Sequence, residues 1–325
     1  MKFQDIIGQE HITGHLQNAI RMGKISHAYI IQGEEGSGKR LLAGIFAAAL
    51  QCEKQEGRSC GECRSCKQAS SGNHPDIRWT THEKAAIGVD DIRIQLNNDI
   101  MVKPYSRPYK VYIIDEAEKM TEQAQNAMLK TIEEPPDYAV ILLLTVNAKL
   151  LLPTILSRCI LLTMRPVAKK EITRFLMERH GITDYLAEVA ADFADGVPGK
   201  AVRYAASESF AVQRDEVLKL VRRIGTMRAE ELYAQVKLWA GKKQEIPDML
   251  SLMNLWYRDV LVAKAANGSS TVLFKEEKNE LMRQAEAASY GQLELKLNAI
   301  EQMKQRMTAN VSLEVALELL FLSLK

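Results

Sequence analysis

The stretch Gly33-Glu34-Glu35-Gly36-Ser37-Gly38-Lys39 constrains the fold more than any other. It follows a short β-favouring run, His27–Gln32, and precedes Arg40–Leu50, which is rich in Ala and Leu as a helix would be. Strand, glycine-rich turn and helix in that order set the loop amides at a helix N-terminus, where they can surround an anion. The spacing Gly33-x4-Gly38-Lys39 fits the phosphate-loop pattern up to its last position, with Lys39 able to reach β- and γ-phosphate oxygens. Position 40 is Arg where that pattern carries Ser or Thr. A hydroxyl there holds Mg²⁺, and a guanidinium cannot. Glu34 and Glu35 add negative charge to a loop built for anions. The sequence predicts a phosphate-loop fold in which ATP and Mg²⁺ binding is weak or absent.

The rest of the first half supplies the sheet such a loop needs. Lys110–Ile114 reads as a buried strand ending in Asp115-Glu116. An Asp there would hold Mg²⁺ and the following Glu would orient water. Val140–Val146 is the most continuous apolar strand, with Asn147 just beyond it, and Asp76–Thr80 and Cys159–Thr163 are shorter candidates. Met120–Glu134 is helical, with Ala124, Ala127, Met128 and Ile132 at three- and four-residue steps, Thr121 at its start and Pro135-Pro136 at its end. Alternating strands and helices imply a five-stranded, mainly parallel sheet covered on both faces.

The strand signal stops near Arg165-Pro166. Beyond it the chain reads as helical, with breaks at Gly196–Gly199 and Asn267–Ser270. The expected domains are 1–166 with an inserted cysteine module at 52–66, a small helical domain at 167–207, and an all-helical domain at 208–325. The segment Asn310–Lys325 sets Leu313, Leu317, Leu320 and Leu324 on one helical face.

Four of the five cysteines, Cys52, Cys60, Cys63 and Cys66, follow the spacing C-x7-C-x2-C-x2-C. Four thiolates satisfy a tetrahedral zinc ion with no open position, which makes the expected role structural. An iron–sulfur cluster is the alternative that also takes four thiolates. Gly57 and Gly61 supply the turns. Cys159 is expected to be a packing residue, and His74 a solvent-exposed histidine.

Lys plus Arg number 43 against 41 Asp plus Glu, so the net charge of +2 gives no whole-surface attraction to nucleic acid. Lys103, Arg107 and Lys110 form a modest basic run expected in a solvated loop, and the pairs Lys169-Lys170 and Arg222-Arg223 are ordinary surface charge. Trp239, Trp256 and Tyr257 read as helix-packing aromatics rather than a base-stacking platform. No apolar run approaches the roughly 18 residues of a membrane span, and Met1–Asp5 holds no signal core. The expectation is a soluble cytoplasmic protein without a membrane partner.

Several stretches together carry a family resemblance. They are Ile7-Gly8-Gln9-Glu10, Ser26-His27-Ala28-Tyr29, Asp115–Thr121 with Asn126–Pro136, and Ser157-Arg158-Cys159. They closely resemble the bacterial DNA polymerase III clamp-loader AAA+ family, densely over residues 1–165 and thinly beyond. The cysteine cluster sits where that family carries a zinc module. Length and order of features are most similar to its delta-prime branch. The resemblance implies an AAA+ domain, a helical lid and a helical collar. It implies a hetero-pentamer with gamma/tau and delta subunits that loads a sliding clamp on primer–template DNA. It also implies that Arg158 is an arginine finger for a neighbouring subunit's ATP site, and that Asn147 reads a γ-phosphate. In active members a lid Arg contacts nucleotide, and here Gly199 or Lys200 takes that position. Arg40 and the missing lid Arg point to a subunit without efficient ATP turnover of its own. The alternatives are an ATP-hydrolysing motor of the gamma/tau kind or a non-catalytic binding relic. No polymerase carboxylate set is visible, so any polymerase activity would belong to the holoenzyme.

Overall fold

The apolar run before Asn147 becomes the middle of a five-stranded sheet. The computed structural model describes residues 2–54, 56–81, 86–106, 108–265, 272–308 and 311–325. Arg107, the expected loop at 267–270 and Asn310 lie outside the described residues. The strands are β1 (Ala28–Gln32), β2 (Ile77–Trp79), β3 (Lys110–Ile114), β4 (Ala139–Thr145) and β5 (Ile160–Thr163). Their order is β2-β3-β4-β1-β5, and each adjacent pair is parallel. The register sets Ala28 beside Ile141, Lys110 beside Ala139, and Tyr29 beside Ile160. The edge strands are shorter than their expected spans, since pairing on one side alone holds them.

Parallel strands need crossovers, and helices supply them on both faces. In the first half these are α1 (Glu10–Arg21), α2 (Lys39–Leu50), α3 (Arg64–Ser70), α4 (Val89–Ile92), α5 (Glu122–Glu133) and α6 (Pro153–Leu156). Side chains alternate between the faces, as the pleat requires. Tyr29, Ile31, Val140, Leu142 and Leu144 pack with Leu16 of α1 and Phe46 of α2. Ala28, Ile30, Ile141 and Leu143 pack with Met128 and Ile132 of α5. The Thr121 hydroxyl caps α5 by accepting the Ala124 N–H at 3.2 Å. Gln9 exchanges hydrogen bonds with the Arg165 backbone at 2.6 and 2.9 Å.

The second half is helical: α7 (Lys169–His180), α8 (Asp184–Phe193), α9 (Pro198–Ala206), α10 (Glu208–Arg223), α11 (Ala229–Ala240), α12 (Ile246–Ala265), α13 (Lys278–Ala287), α14 (Tyr290–Thr308) and α15 (Leu313–Leu324). The chain divides into two compact units, Met1–Gly181 with Ala194–Val202, and Ile182–Phe193 with Arg203–Lys325. In the second unit Trp239, Trp256 and Tyr257 are buried, as packing aromatics should be. Trp239 meets Phe321 edge-on at 5.2 Å, and the Trp256 indole donates to Gln284 at 3.0 Å. Leu317, Leu320 and Leu324 form the buried face of α15.

Lys110 departs from the expected solvated basic run, because it is fully buried. Its ammonium pairs with the Asp99 carboxylate at 2.8 Å and donates to the carbonyls of Asp99 and Val102 at 3.0 and 3.2 Å. The Tyr112 hydroxyl donates to the same carboxylate at 2.9 Å. Burial pushes the Asp99 carboxyl up, but the Lys110 and Tyr112 hydrogen bonds outweigh it and hold the group below the usual carboxylate range. Lys110→Met would strip a donor from three acceptors, so a loss of about 2–4 kcal/mol is expected in urea denaturation. Lys103→Met, on the exposed neighbouring position, should stay within about 0.5 kcal/mol.

Candidate functional site

Three strand ends converge because the sheet is parallel. The loop after β1 carries the glycines, β3 delivers Asp115 and Glu116, and β4 delivers Asn147. Gly36 (φ +85°) has the left-handed backbone that only glycine adopts without strain, and Gly38 is the N-cap of α2. A cleft of about 1220 Å³ opens beside the loop, lined among others by Gly36, Gly38, Lys39, Trp79, Asp115 and Glu116.

Several of the loop's polar groups have partners in this chain. The Lys39 ammonium donates to the carbonyls of Gly33 and Glu34 at 2.7 and 2.9 Å. Burial pulls its pKa down, against the acidic residues around it. The Ser37 hydroxyl points to the Met164 sulfur at 3.6 Å. The Gly199 N–H donates to the Gly36 carbonyl at 2.9 Å, and a Cβ on Gly199 would lie 2.6 Å from that oxygen. Lys200 pairs with Glu34 at 2.9 Å. Of the two residues open for the lid position, then, Gly199 presses on the loop backbone and Lys200 neutralises a loop carboxylate.

The acidic pair is engaged as well. Arg40 pairs with Asp115 at 3.1 Å, and its guanidinium carbon lies 4.9 Å from the centre of the Trp79 ring. The other Asp115 oxygen accepts the Glu116 N–H at 3.0 Å. Glu116 has a left-handed backbone (φ +51°) and pairs with Lys119 at 2.8 Å. This donor set does not fit Mg²⁺: the hydroxyl is missing, a cation stands in its place, and the carboxylate is already bound to that cation. Asn147 does not line the cleft. Its side chain accepts the Lys149 N–H at 3.1 Å and caps the turn Ala148–Leu150.

Arg158 follows α6 and is 39% exposed. Its guanidinium pairs with Glu133 at 2.8 Å and donates to the Thr154 carbonyl at 3.0 Å and the Ser157 hydroxyl at 3.2 Å. Cys159 is half-buried, and burial pushes its thiol up to about 12, which suits packing rather than reactivity.

The four clustered cysteines meet between α2 and α3, with all four sulfurs within 4.8 Å of one another. Thiolates about 2.3 Å from a tetrahedral zinc would stand about 3.8 Å apart. The Cys60 and Cys66 sulfurs lie at 3.9 Å. Backbone N–H groups of Cys60, Cys63 and Cys66 donate to Cys52, Cys60 and Cys63 at 3.3–3.4 Å. Amides of Cys63 and Glu62 draw the Cys60 thiol down to about 6, while burial raises Cys66. Sulfurs this close leave room for one ion and not for a multi-iron cluster, so the donor set fits structural zinc. His74 corrects the expectation of an exposed histidine, since only 4% of it is exposed. Its Nδ1 accepts the Asp76 N–H at 3.1 Å and its Nε2 meets the Ser65 hydroxyl at 2.9 Å. Ser65 in turn donates to the Gln51 carbonyl at 2.7 Å, tying α3 to the end of α2.

Trp79, Glu133 and the Glu34–Lys200 pair escaped the sequence reading. Only the placement of an aromatic at the end of a short strand hinted at Trp79.

A five-stranded parallel sheet in the order 5-1-4-3-2, with a glycine loop after β1 and an acidic pair after β3, defines an AAA+-type phosphate-loop fold. The family model for "DNA polymerase III, delta subunit" matches residues 8–168. The subunit delta′ of Bacillus subtilis DNA polymerase III is 29% identical over 323 residues, covering 98% of this chain and 96% of the relative. The tau subunit of the same organism is 29% identical over 342 residues, covering 97% of this chain and 60% of the relative's own length. A gamma subunit-related protein of Thermotoga maritima matches 95% of this chain and 97% of its own, with 19% identity and a TM-score of 0.44. The resemblance to the clamp-loader AAA+ family of DNA polymerase III is thus supported by the family model and by relatives matched over nearly the whole chain.

Metal analysis of the purified chain should find one zinc per molecule. Cys63→Ser or Cys66→Ser should lose it and loosen α3, read as faster amide exchange there, while the sheet core stays protected. Full protection in the metal-free variants would mean that the module does not need the ion.

Proposed function

We propose that this chain is a delta-prime-like subunit of a DNA polymerase III clamp loader, one that completes a neighbour's ATP site rather than running its own. The observation that carries this reading is the contrast between two places. The lysine of the phosphate loop is turned onto the loop's own carbonyls and Arg40 stands on the Asp115 carboxylate, whereas Arg158 stands half exposed at the surface in an ion pair that a phosphate can replace. In this reading residues 1–166 are the AAA+ domain, 167–207 the lid and 208–325 the collar that joins the other subunits. The partners are gamma/tau and delta subunits, a sliding clamp and primed DNA reached through the assembly.

Arg158 acts in trans by leaving Glu133 for the phosphates of a neighbour's nucleotide. A half-exposed ion pair is worth about 0–1 kcal/mol, so the exchange is not held back by the parked contact. A positioned guanidinium at a transferring phosphoryl group is worth ~10³–10⁵ in rate. The tau relative is as similar by identity as the delta′ relative, which keeps the motor reading as the rival. Arg40 argues against it.

The test is a reconstituted loader with clamp and primed DNA, comparing wild type, Arg158→Ala and Lys39→Ala in this chain. Arg158→Ala should lower clamp loading at least about tenfold, and Lys39→Ala should stay within about twofold. A large loss from Lys39→Ala would instead identify a motor subunit. Insensitivity to both would leave a binding relic.

A further inference from the structure

We propose that Arg40, held between Asp115 and Trp79, is a built-in substitute for the divalent metal of the cleft. It bars Mg²⁺ by itself, and a single substitution reopens the metal position. The proposal rests on the phosphate-loop reading of the cleft and not on the role of Arg158.

Arg40 is the second residue of α2, where the phosphate-loop pattern has its metal-binding hydroxyl. Asp115 follows β3, at the edge where a metal-binding carboxylate would stand. Arg40 meets that carboxylate at 3.1 Å. The remaining Asp115 oxygen already accepts the Glu116 N–H. Mg²⁺ binds through one or two carboxylates, phosphates and its own waters, in near-ideal octahedral geometry. Here the carboxylate is turned to a cation. Of the other acids of the cleft, Glu116 faces Lys119, Glu118 accepts the Val146 N–H at 3.3 Å, and Glu35 belongs to the glycine loop rather than to the strand edge after β3.

Trp79 fixes where the guanidinium lies. The parallel register sets Trp79 beside Ile113, one residue before β3 ends. The ring is therefore fixed to the same sheet edge as Asp115. Arg40 lies over it at 4.9 Å, and a planar guanidinium suits such a face.

The ion pair itself is not strong, since the Arg40 side chain is 73% exposed. Exclusion comes from charge and from the missing ligand. A fixed unit charge about 4 Å from a dication lowers its affinity about tenfold or more even in water-like screening. Exposure also means that replacing Arg40 does not endanger folding. Lys39 keeps its place in the loop whatever occupies position 40, so the phosphate side of the cleft survives the substitution.

The test measures ATP affinity of the full chain by calorimetry, in Mg²⁺ and in EDTA. Wild type should gain nothing from Mg²⁺, within about twofold. Arg40→Thr should bind ATP at least about tenfold more tightly in Mg²⁺ than in EDTA. Arg40→Lys, which keeps the charge, should behave as wild type. Arg40→Thr with Asp115→Asn should lose the gain. A tenfold Mg²⁺ effect in wild type overturns the proposal, and so does an Arg40→Thr variant with no Mg²⁺ effect, including one that binds no ATP. A gain that survives Asp115→Asn removes Asp115 from it. None of these results bears on clamp loading with Arg158→Ala, so the two readings fail separately.

Discussion

Parallel pairing in the sheet is the constraint on which everything else here depends. Parallel strands carry their C-terminal ends to one edge, and crossover helices cover both faces. The loop after β1, the acids after β3 and the turn after β4 must therefore meet. Pairing of β1 with both β4 and β5 sets the glycine loop in the interior of that edge rather than at its rim. From there the loop and the start of α2 are reached from two sides, Arg40 by Asp115 and the loop residues Gly36 and Glu34 by Gly199 and Lys200.

Meeting is not the same as remaining available. A loop that exposes amides and an ammonium to solvent can wait for an anion. In this chain the ammonium is met by carbonyls, the Gly36 carbonyl by a backbone N–H, and Glu34 and Arg40 by ion pairs. Each contact is modest, because exposed pairs contribute little. Their effect is on geometry: they hold the loop against Gly199 and the guanidinium against Trp79 without a ligand. A loop held this way by its own chain needs no nucleotide to keep its place, which agrees with the proposal that this subunit completes a neighbour's ATP site rather than running its own.

Local pattern made much of this legible. The glycine spacing, the apolar strand runs, the Thr121 cap and the C-x2-C pairs are short-range signals, and each appears at or within a residue or two of its expected place. What stayed hidden depends on distant partners. Lys110 looked like a loop cation beside Lys103 because nothing nearby shows that Asp99 turns inward to meet it. His74 looked exposed because its partners Ser65 and Asp76 are brought round by the cysteine module. Arg40 read as a missing hydroxyl, but its pairing with Asp115 and its seat on Trp79 appear only once β2 lies beside β3. Glu133 sat in a stretch chosen for its family resemblance, yet its contact with Arg158 depends on α6 folding back on α5.

The cysteine module belongs to the same argument. Ala69, Ser70 and Gly72, at the end of α3 and just past it, line the cleft together with Ile77 and Trp79. The helix that carries Cys66 thus supplies, with its last residues, a wall of the cleft. Ser65 and His74 join its helix to the end of α2, and Asp76 accepts three hydrogen bonds, from the N–H groups of Tyr105 and Ser106 and from the Ser106 hydroxyl, at 2.7–3.0 Å. β2 has only three residues and one neighbour, so its position depends on what packs around it. A metal that stiffens α3 stiffens the approach to β2, and with it the ring that seats Arg40. A metal on the four sulfurs would thus act, from a different distance, on the same cleft wall that seats the Arg40 guanidinium.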